Sequence, residues 1–219
     1  MSAATPQRAR SAEAKKERER AILDAARSLG ATRSVREVTL TDIAAEVGMH
    51  KSAMLRYFET REQIFLRITA EAWQEWSAAV RAELGGLATA EPAAVAAVLA
   101  HSLVARPLFC DLLAQAPLNL ERNVSLEAVY DFKTIVLAEV AAVQDTLGEL
   151  LGIDRPAAAQ ITTTASSLAG ALWQMAAPCT QLRTLYQSHP ELSHAVVDVE
   201  PTLAQILTSL VIGVSAQGR

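Results

Sequence analysis

Thr39-Leu-Thr-Asp-Ile-Ala-Ala-Glu-Val-Gly-Met-His-Lys-Ser-Ala-Met-Leu-Arg-Tyr-Phe58 decides the fold, because it reads as two short helices joined by a tight glycine turn. Thr39 carries the hydroxyl of a good N-cap, and Asp42, three residues on, can return the capping hydrogen bond. Ile43, Ala44 and Val47 recur at helical spacing until Gly48, which can adopt the positive φ that such a turn needs. Beyond the turn, Met54 and Phe58 lie four apart and can close onto Ile43 and Val47. Lys51, Ser52 and Leu55 are then left on the opposite, outward face. A short helix that offers polar groups outward from a two-helix corner suits the major groove of DNA.

The pattern extends in both directions. Upstream, Ala21, Ile22, Leu23, Ala25, Ala26 and Leu29 mark an amphipathic first helix over residues 13–30. Downstream, Thr60-Arg-Glu-Gln63 is a capping box, and Ile64, Phe65, Ile68, Ala72, Trp76 and Val80 carry a long helix to Gly85-Gly86. Residues 19–66 together resemble the DNA-binding head of the TetR family of bacterial transcriptional regulators. The resemblance rests on the first helix, Thr41-Asp-Ile-Ala-Ala-Glu-Val-Gly48, Leu55-Arg-Tyr-Phe58 and Arg61-Glu-Gln-Ile-Phe-Leu66. It implies that Lys51, Ser52 and Leu55 face base edges, bordered by His50 and Ala53, while Thr39, Thr41, Tyr57 and Arg61 hold phosphates. Two positions depart from the family pattern: Leu55 stands where tyrosine is usual, and His50 where a serine N-cap is usual.

Charge follows the same division. Residues 1–67 carry thirteen Lys and Arg against nine Asp and Glu, a net +4, whereas residues 68–219 carry seven against fifteen, a net −8. A basic end on an acidic body is what DNA binding by that end requires, since phosphate contacts supply much of the affinity. The expected organisation is an unstructured basic arm over residues 1–14, a helix-turn-helix domain over 15–60, and a helical regulatory and dimerisation domain over 61–219. The arm contains Arg8 and Arg10, and further cations follow at Lys15, Lys16, Arg18 and Arg20.

The 219 residues are 51% hydrophobic and show no strand pattern, so the fold class is all-α: a three-helix head followed by a helical body. Cys110 and Cys179 have neither metal-type nor redox-type spacing, and no cofactor or metal is expected. The first twenty residues lack the apolar run of a secretory signal. The apolar stretches at 93–100 and 203–214 are read as too short or too interrupted to span a bilayer, giving a soluble, cytoplasmic chain without a membrane partner.

In the body, prolines punctuate the helices. Pro92 starts one to about Ala105, and a short one over 108–114 is expected to stop before Pro117. Asn123 or Ser125 caps the next, which ends at Gly152; Pro156 opens another to Ala176; a looser segment holds Pro178 and Pro190; and Pro201 begins the last. Arg106-Pro-Leu-Phe-Cys-Asp-Leu-Leu113 and Asn119-Leu-Glu-Arg-Asn-Val-Ser125 resemble a C-terminal subtype of the same family seen in some actinobacterial members. The helices after Pro156 and Pro201 are the expected two-fold interface of a homodimer. The small residues Ala157, Ala158, Ala159, Ala165, Ala169 and Gly170 would allow close approach there. Candidates for lining an effector pocket are Trp73, Trp76, Phe109, Cys110, Tyr130, Phe132, Trp173 and Met175.

The partners expected are therefore a double-stranded, palindromic DNA operator, a small-molecule effector and a second copy of the chain, and the function is ligand-responsive repression of transcription. Two other classes were weighed. One is a DNA-organising or activator protein without an effector. The other is an all-α enzyme, for which Glu191-Leu-Ser-His194 offers a single Glu-x-x-His spacing where di-iron sites need two, and no phosphate loop or nucleophile elbow stands beside it.

Overall fold

The computed structural model describes residues 6–178 and 180–217, and among these every regular element is helical. α1 (Pro6–Thr32) leads through a 3-10 turn (Val35–Glu37) to α2 (Leu40–Glu46) and α3 (Lys51–Met54), and α4 (Arg61–Gly85) leaves the head for the body. The body contains α5 (Pro92–Val104), α6 (Pro107–Leu118), a 3-10 turn (Leu120–Asn123), α7 (Leu126–Leu151) and α8 (Arg155–Ala176). α9 (Gln181–Ser188), a third 3-10 turn (Pro190–Ala195) and α10 (Val199–Gln217) complete it.

The corner that decides the fold is built as its residues require. The Thr39 hydroxyl accepts from the Asp42 amide at 3.2 Å, and the Asp42 carboxylate accepts from the Thr39 amide at 2.8 Å, so both halves of the capping box form. α2 ends in a Schellman motif: the Met49 amide donates to Ala44 O, the Gly48 amide donates to Ala45 O, and Gly48 sits at φ +64°. Met54 and Phe58 are buried in one cluster with Ile43, and Val47 packs against it.

Several elements differ from the sequence reading. α1 begins at Pro6, so residues 6–14 of the expected arm are helical, in keeping with a composition of Ala, Arg, Gln and Glu. Residues 1–5 of that arm lie outside the described residues, as do Cys179 and the side chain of His194. α3 is only four residues long. Leu55-Arg-Tyr-Phe58 leaves it as tight turns, with Arg56 N bonded to Ala53 O and Tyr57 N to Met54 O. At the start of α4, Thr60 Oγ1 accepts from Gln63 N as expected, but Gln63 Oε1 takes the Glu59 amide at 2.6 Å rather than that of Thr60. α6 runs through Pro117 to Leu118, because a proline in the last turn removes one donor while Leu112 and Ala116 stay buried. The segment between Pro178 and Pro190 holds α9, capped by Thr180.

Two clusters form the core. One lies within the body and includes Trp76, Leu99, Leu103, Val143, Ile161 and Leu207. The other belongs to the head but takes in Leu112 and Ala116 of α6 and Phe132 of α7, so the head is anchored on body helices by apolar packing. α6 and α8 touch backbone to backbone, since a Cβ on Gly170 would lie 2.8 Å from Ala114 N. Ala158, Ala165, Ala169 and Gly170 are all fully buried within the chain. The small residues of α8 thus serve its own core, and the face left open carries Thr163, Ser167, Ala171 and Met175. α10 begins two residues before the expected start at Pro201, and its window 199–216, read from the sequence as too short or too interrupted, is long and apolar enough to cross a bilayer by length and composition. It packs on α5 and α8 with 28% of that window buried, leaving Ile206 and Ile212 exposed.

Candidate DNA interface and effector cleft

The head presents one exposed ridge. His50 is the N-cap of α3 without a side-chain capping bond, so its ring, Lys51, Ser52 and Leu55 all face outward. Leu55 is 53% exposed, which fits a surface awaiting a partner better than a core position. Thr41 is exposed beside them, Ala53 and Tyr57 are half-buried, and the Thr39 hydroxyl is engaged in the capping box. Asp42, whose carboxyl is held below its ordinary value chiefly by the Thr39 hydrogen bonds, keeps that box charged.

Arg61 does not join this ridge. Its guanidinium turns inward with 12% of the side chain exposed: Nε donates to Val38 O, Nη2 donates to Val35 O, and Nη1 pairs with Glu62 at 2.6 Å. The group also lies over the Phe65 ring at 5.0 Å. It supplies donors to the carbonyls of the link between α1 and α2, an internal clamp at a residue expected to hold phosphate. Other cations of the head face outward. Lys15 and Arg18 of α1 and Arg56 after α3 line a cleft of about 440 Å³ with Ala14 and Tyr57. Arg56 was missed by the sequence reading; only the packing of α1 beside α3 brings it together with Lys15 and Arg18.

The expected pocket residues separate into distinct environments. Trp73, Trp76 and Phe109 pack edge to face in the body core, with centroids 5.4 Å apart for Trp73–Trp76 and for Trp73–Phe109. Trp76 Nε1 donates to Ser102 Oγ at 3.0 Å, which satisfies the ring's one polar atom. Cys110 is buried beside them with its thiol pushed up to about 12 by burial and by Asp111. Phe132 sits in the head cluster, and Tyr130 and Met175 are 72% and 59% exposed. Of these candidates only Trp173 lines a second cleft, a space of about 490 Å³ bounded by Val104, Ala176, Pro178, Arg183 and the start of α10. There Arg183 donates to Val197 O at 3.1 Å and lies 3.7 Å from Asp198, while Glu200 lies 3.1 Å from His101 Nδ1. The aromatic stripe on α4 packs into the core, whereas this cleft opens at the far ends of α8 and α5.

A family model for bacterial regulatory proteins, tetR family, matches residues 22–68, and one for a tetracyclin repressor-like C-terminal domain matches residues 70–218. Among solved structures, the fatty acid degradation regulator FadR of Bacillus halodurans is 16% identical, with a TM-score of 0.55 over 87% of this chain and 94% of that one. FadR of Bacillus subtilis in complex with stearoyl-CoA is 18% identical, with a TM-score of 0.55 over 86% and 97%. A TetR/AcrR family regulator of Thermobifida fusca is 18% identical, with a TM-score of 0.54 over 90% and 98%. No curated protein matches the chain. With a helix-turn-helix at one end, a helical body behind it and both parts matched in turn, the chain belongs to the TetR family of bacterial transcriptional regulators.

Proposed function

We propose that the protein is a repressor that binds a palindromic operator as a homodimer in the bacterial cytoplasm and releases it when a small molecule fills the cleft around Trp173. The carrying observation is the exposed ridge of His50, Lys51, Ser52 and Leu55 flanked by the Lys15, Arg18 and Arg56 cleft. Base edges meet the ridge, with the Leu55 side chain against a thymine methyl, and phosphates meet the basic flank together with Thr41 and Tyr57. Dimerisation is supported by the apolar face that α8 and α10 leave open at Met175, Ile206 and Ile212.

Chemistry narrows the effector. The cleft lining is largely apolar; among the described residues its one cation, Arg183, is already engaged by Asp198 and Val197 O, and Asp198 and Glu200 add two carboxylates to the lining. An apolar molecule with a neutral or cationic head fits such a lining better than a polyphosphate does. Selection of bound DNA from a random pool tests the first half: a two-fold symmetric site with half-sites about one helical turn or a multiple apart is expected, and a site without symmetry would refute it. Titration with dodecylamine and with stearoyl-CoA tests the second. Dodecylamine should change the Trp173 emission, lost in Trp173→Phe, and weaken operator binding; a response to stearoyl-CoA alone would reverse the charge argument.

A further inference from the structure

We propose that Asp111 latches the DNA-binding head to the body in the pose that reads DNA, and that Gln174 puts this latch under the control of the cleft around Trp173. The second half rests on the effector-cleft reading above.

Asp111 lies on α6 and is 5% exposed. Its Oδ2 accepts from the Val35 amide at 2.7 Å and from Ser34 Oγ at 3.2 Å, both in the head. Its Oδ1 accepts from Gln174 Nε2 at 2.8 Å, on the last turn of α8. The side chain therefore joins three elements that are far apart in sequence, one oxygen serving the head and the other serving α8. A buried carboxylate bound by neutral donors depends on each of them, since an unmade bond leaves the oxygen without compensation for lost water.

The head end of this contact is well chosen for leverage. Val35 opens the 3-10 turn that leads to Thr39, the N-cap of α2, and α2 carries α3. Asp111 takes the Val35 N–H while Arg61 donates to the Val35 carbonyl, so the two peptides flanking this residue are gripped, one from the body and the other from α4. The α8 end is equally placed. Trp173 and Ala176 line the cleft, Gln174 shares their turn, and Pro178 lines the cleft just beyond Ala177. Ala177 is held at φ +44°, a strained conformation for a side-chain-bearing residue. One turn back, Gly170 touches the α6 backbone at Ala114 and serves as a pivot. A ligand that displaces Trp173 and Ala176 must rotate this last turn, withdraw Gln174 from Asp111 and loosen the head. If the latched pose is the DNA-competent one, its lower population raises the apparent operator Kd by the same factor.

The test uses the full-length dimer and its selected operator, with the Val35 amide followed by hydrogen exchange. Gln174→Leu, at an exposed position that tolerates the change, should speed Val35 exchange and raise the operator Kd, each about tenfold. Gln174→Lys, which offers Asp111 a cation, should slow the exchange and tighten binding. Opposite effects from one position are not expected of a merely structural residue; no change in either variant would overturn the latch. Ala176→Leu, which extends a side chain toward the cleft, should speed Val35 exchange in the parent and add nothing in Gln174→Leu. Additive effects would overturn control by the cleft even if dodecylamine binds there. A coupled pair of variants with no dodecylamine response would instead remove the effector reading and leave the latch standing.

Discussion

In the head, the turns on either side of α3 are closed by groups a few residues apart: Thr39 with Asp42, Gly48 with Ala45 and Met49 with Ala44, Thr60 with Gln63. In the body, the corresponding work is done by groups far apart in sequence, Gly170 against Ala114, Trp73 and Trp76 against Phe109, Glu75 with Arg106. The contrast suits the tasks of the two regions. A head that must dock the same surface on DNA each time gains from locally specified turns, whereas a body that responds to a ligand needs interfaces between helices that can shift.

The difference should appear first in the response to one added methyl group. Gly170→Ala should destabilise the fold by about 3 kcal/mol, because the new Cβ meets backbone that cannot rotate away and this outweighs the gain in helix propensity. Gly85→Ala, at the end of α4 with open space around its Cβ, should instead gain a few tenths of a kcal/mol. Chemical denaturation of the two variants measures both signs. Equal effects would mean that α6 and α8 can part freely, and the pivot role of Gly170 would fall with them.

The same contrast explains what could be read from the chain. Thr39, Asp42 and Gly48 announce the corner because their partners lie within a few residues, and the alternation of Ile43, Met54 and Phe58 gives its buried face. The inward turn of Arg61 is not legible because its partners are backbone carbonyls at Val38 and Val35, 23 and 26 residues back, which leave no mark in the pattern of side chains. The aromatic stripe of α4 is ambiguous for a related reason: spacing puts Trp73 and Trp76 on the apolar face but does not say whether Phe109 fills the room between them. Trp173 lies on the cleft because α9 and the start of α10 stand off from the end of α8, a tertiary fact without a local signature.

Arg61 holds the head by bonds that span more than twenty residues. Arg61→Ala should cost about 2 kcal/mol of stability through two lost bonds to half-buried carbonyls and the contact with Phe65. The slope of operator affinity against salt should stay unchanged, whereas Arg18→Ala and Arg56→Ala should each lower it by about one unit. A flatter slope in Arg61→Ala would return this residue to the DNA surface.

A smaller effect is expected at Gly48. Its positive φ disfavours any side chain, yet nothing lies within 4 Å of the position a Cβ would take. Gly48→Ala should therefore cost about 1 kcal/mol from backbone conformation alone, and Gly48→Asn about half of that. Thermal unfolding of the pair checks the order. A loss well above this in Gly48→Ala would mean that the corner is held by packing, as in the body, rather than by its own turn.

The smallest effect compares the two regions in acid. Asp42 is held below its ordinary value of 3.8 by hydrogen bonds from Thr39, within the head. Glu75 is held below its ordinary value of 4.5 by the two bonds from Arg106, which tie α4 to the start of α6 in the body. A carboxyl whose folded value is depressed binds its proton more readily in the unfolded chain. Its contribution is therefore fully present above the ordinary value and is lost as the pH falls through the folded one. The melting temperature should accordingly fall between about pH 5 and pH 3, and Glu75→Gln and Asp42→Asn should each flatten that fall while lowering the plateau above it. Both sites are well exposed to water, so the changes should be small, with Glu75 the larger because Arg106 adds a charge to its hydrogen bonds. A steeper fall in either variant would mean that the carboxyl is strained in its folded contact, and for Asp42 that would undo the account of the head as a set of locally satisfied turns.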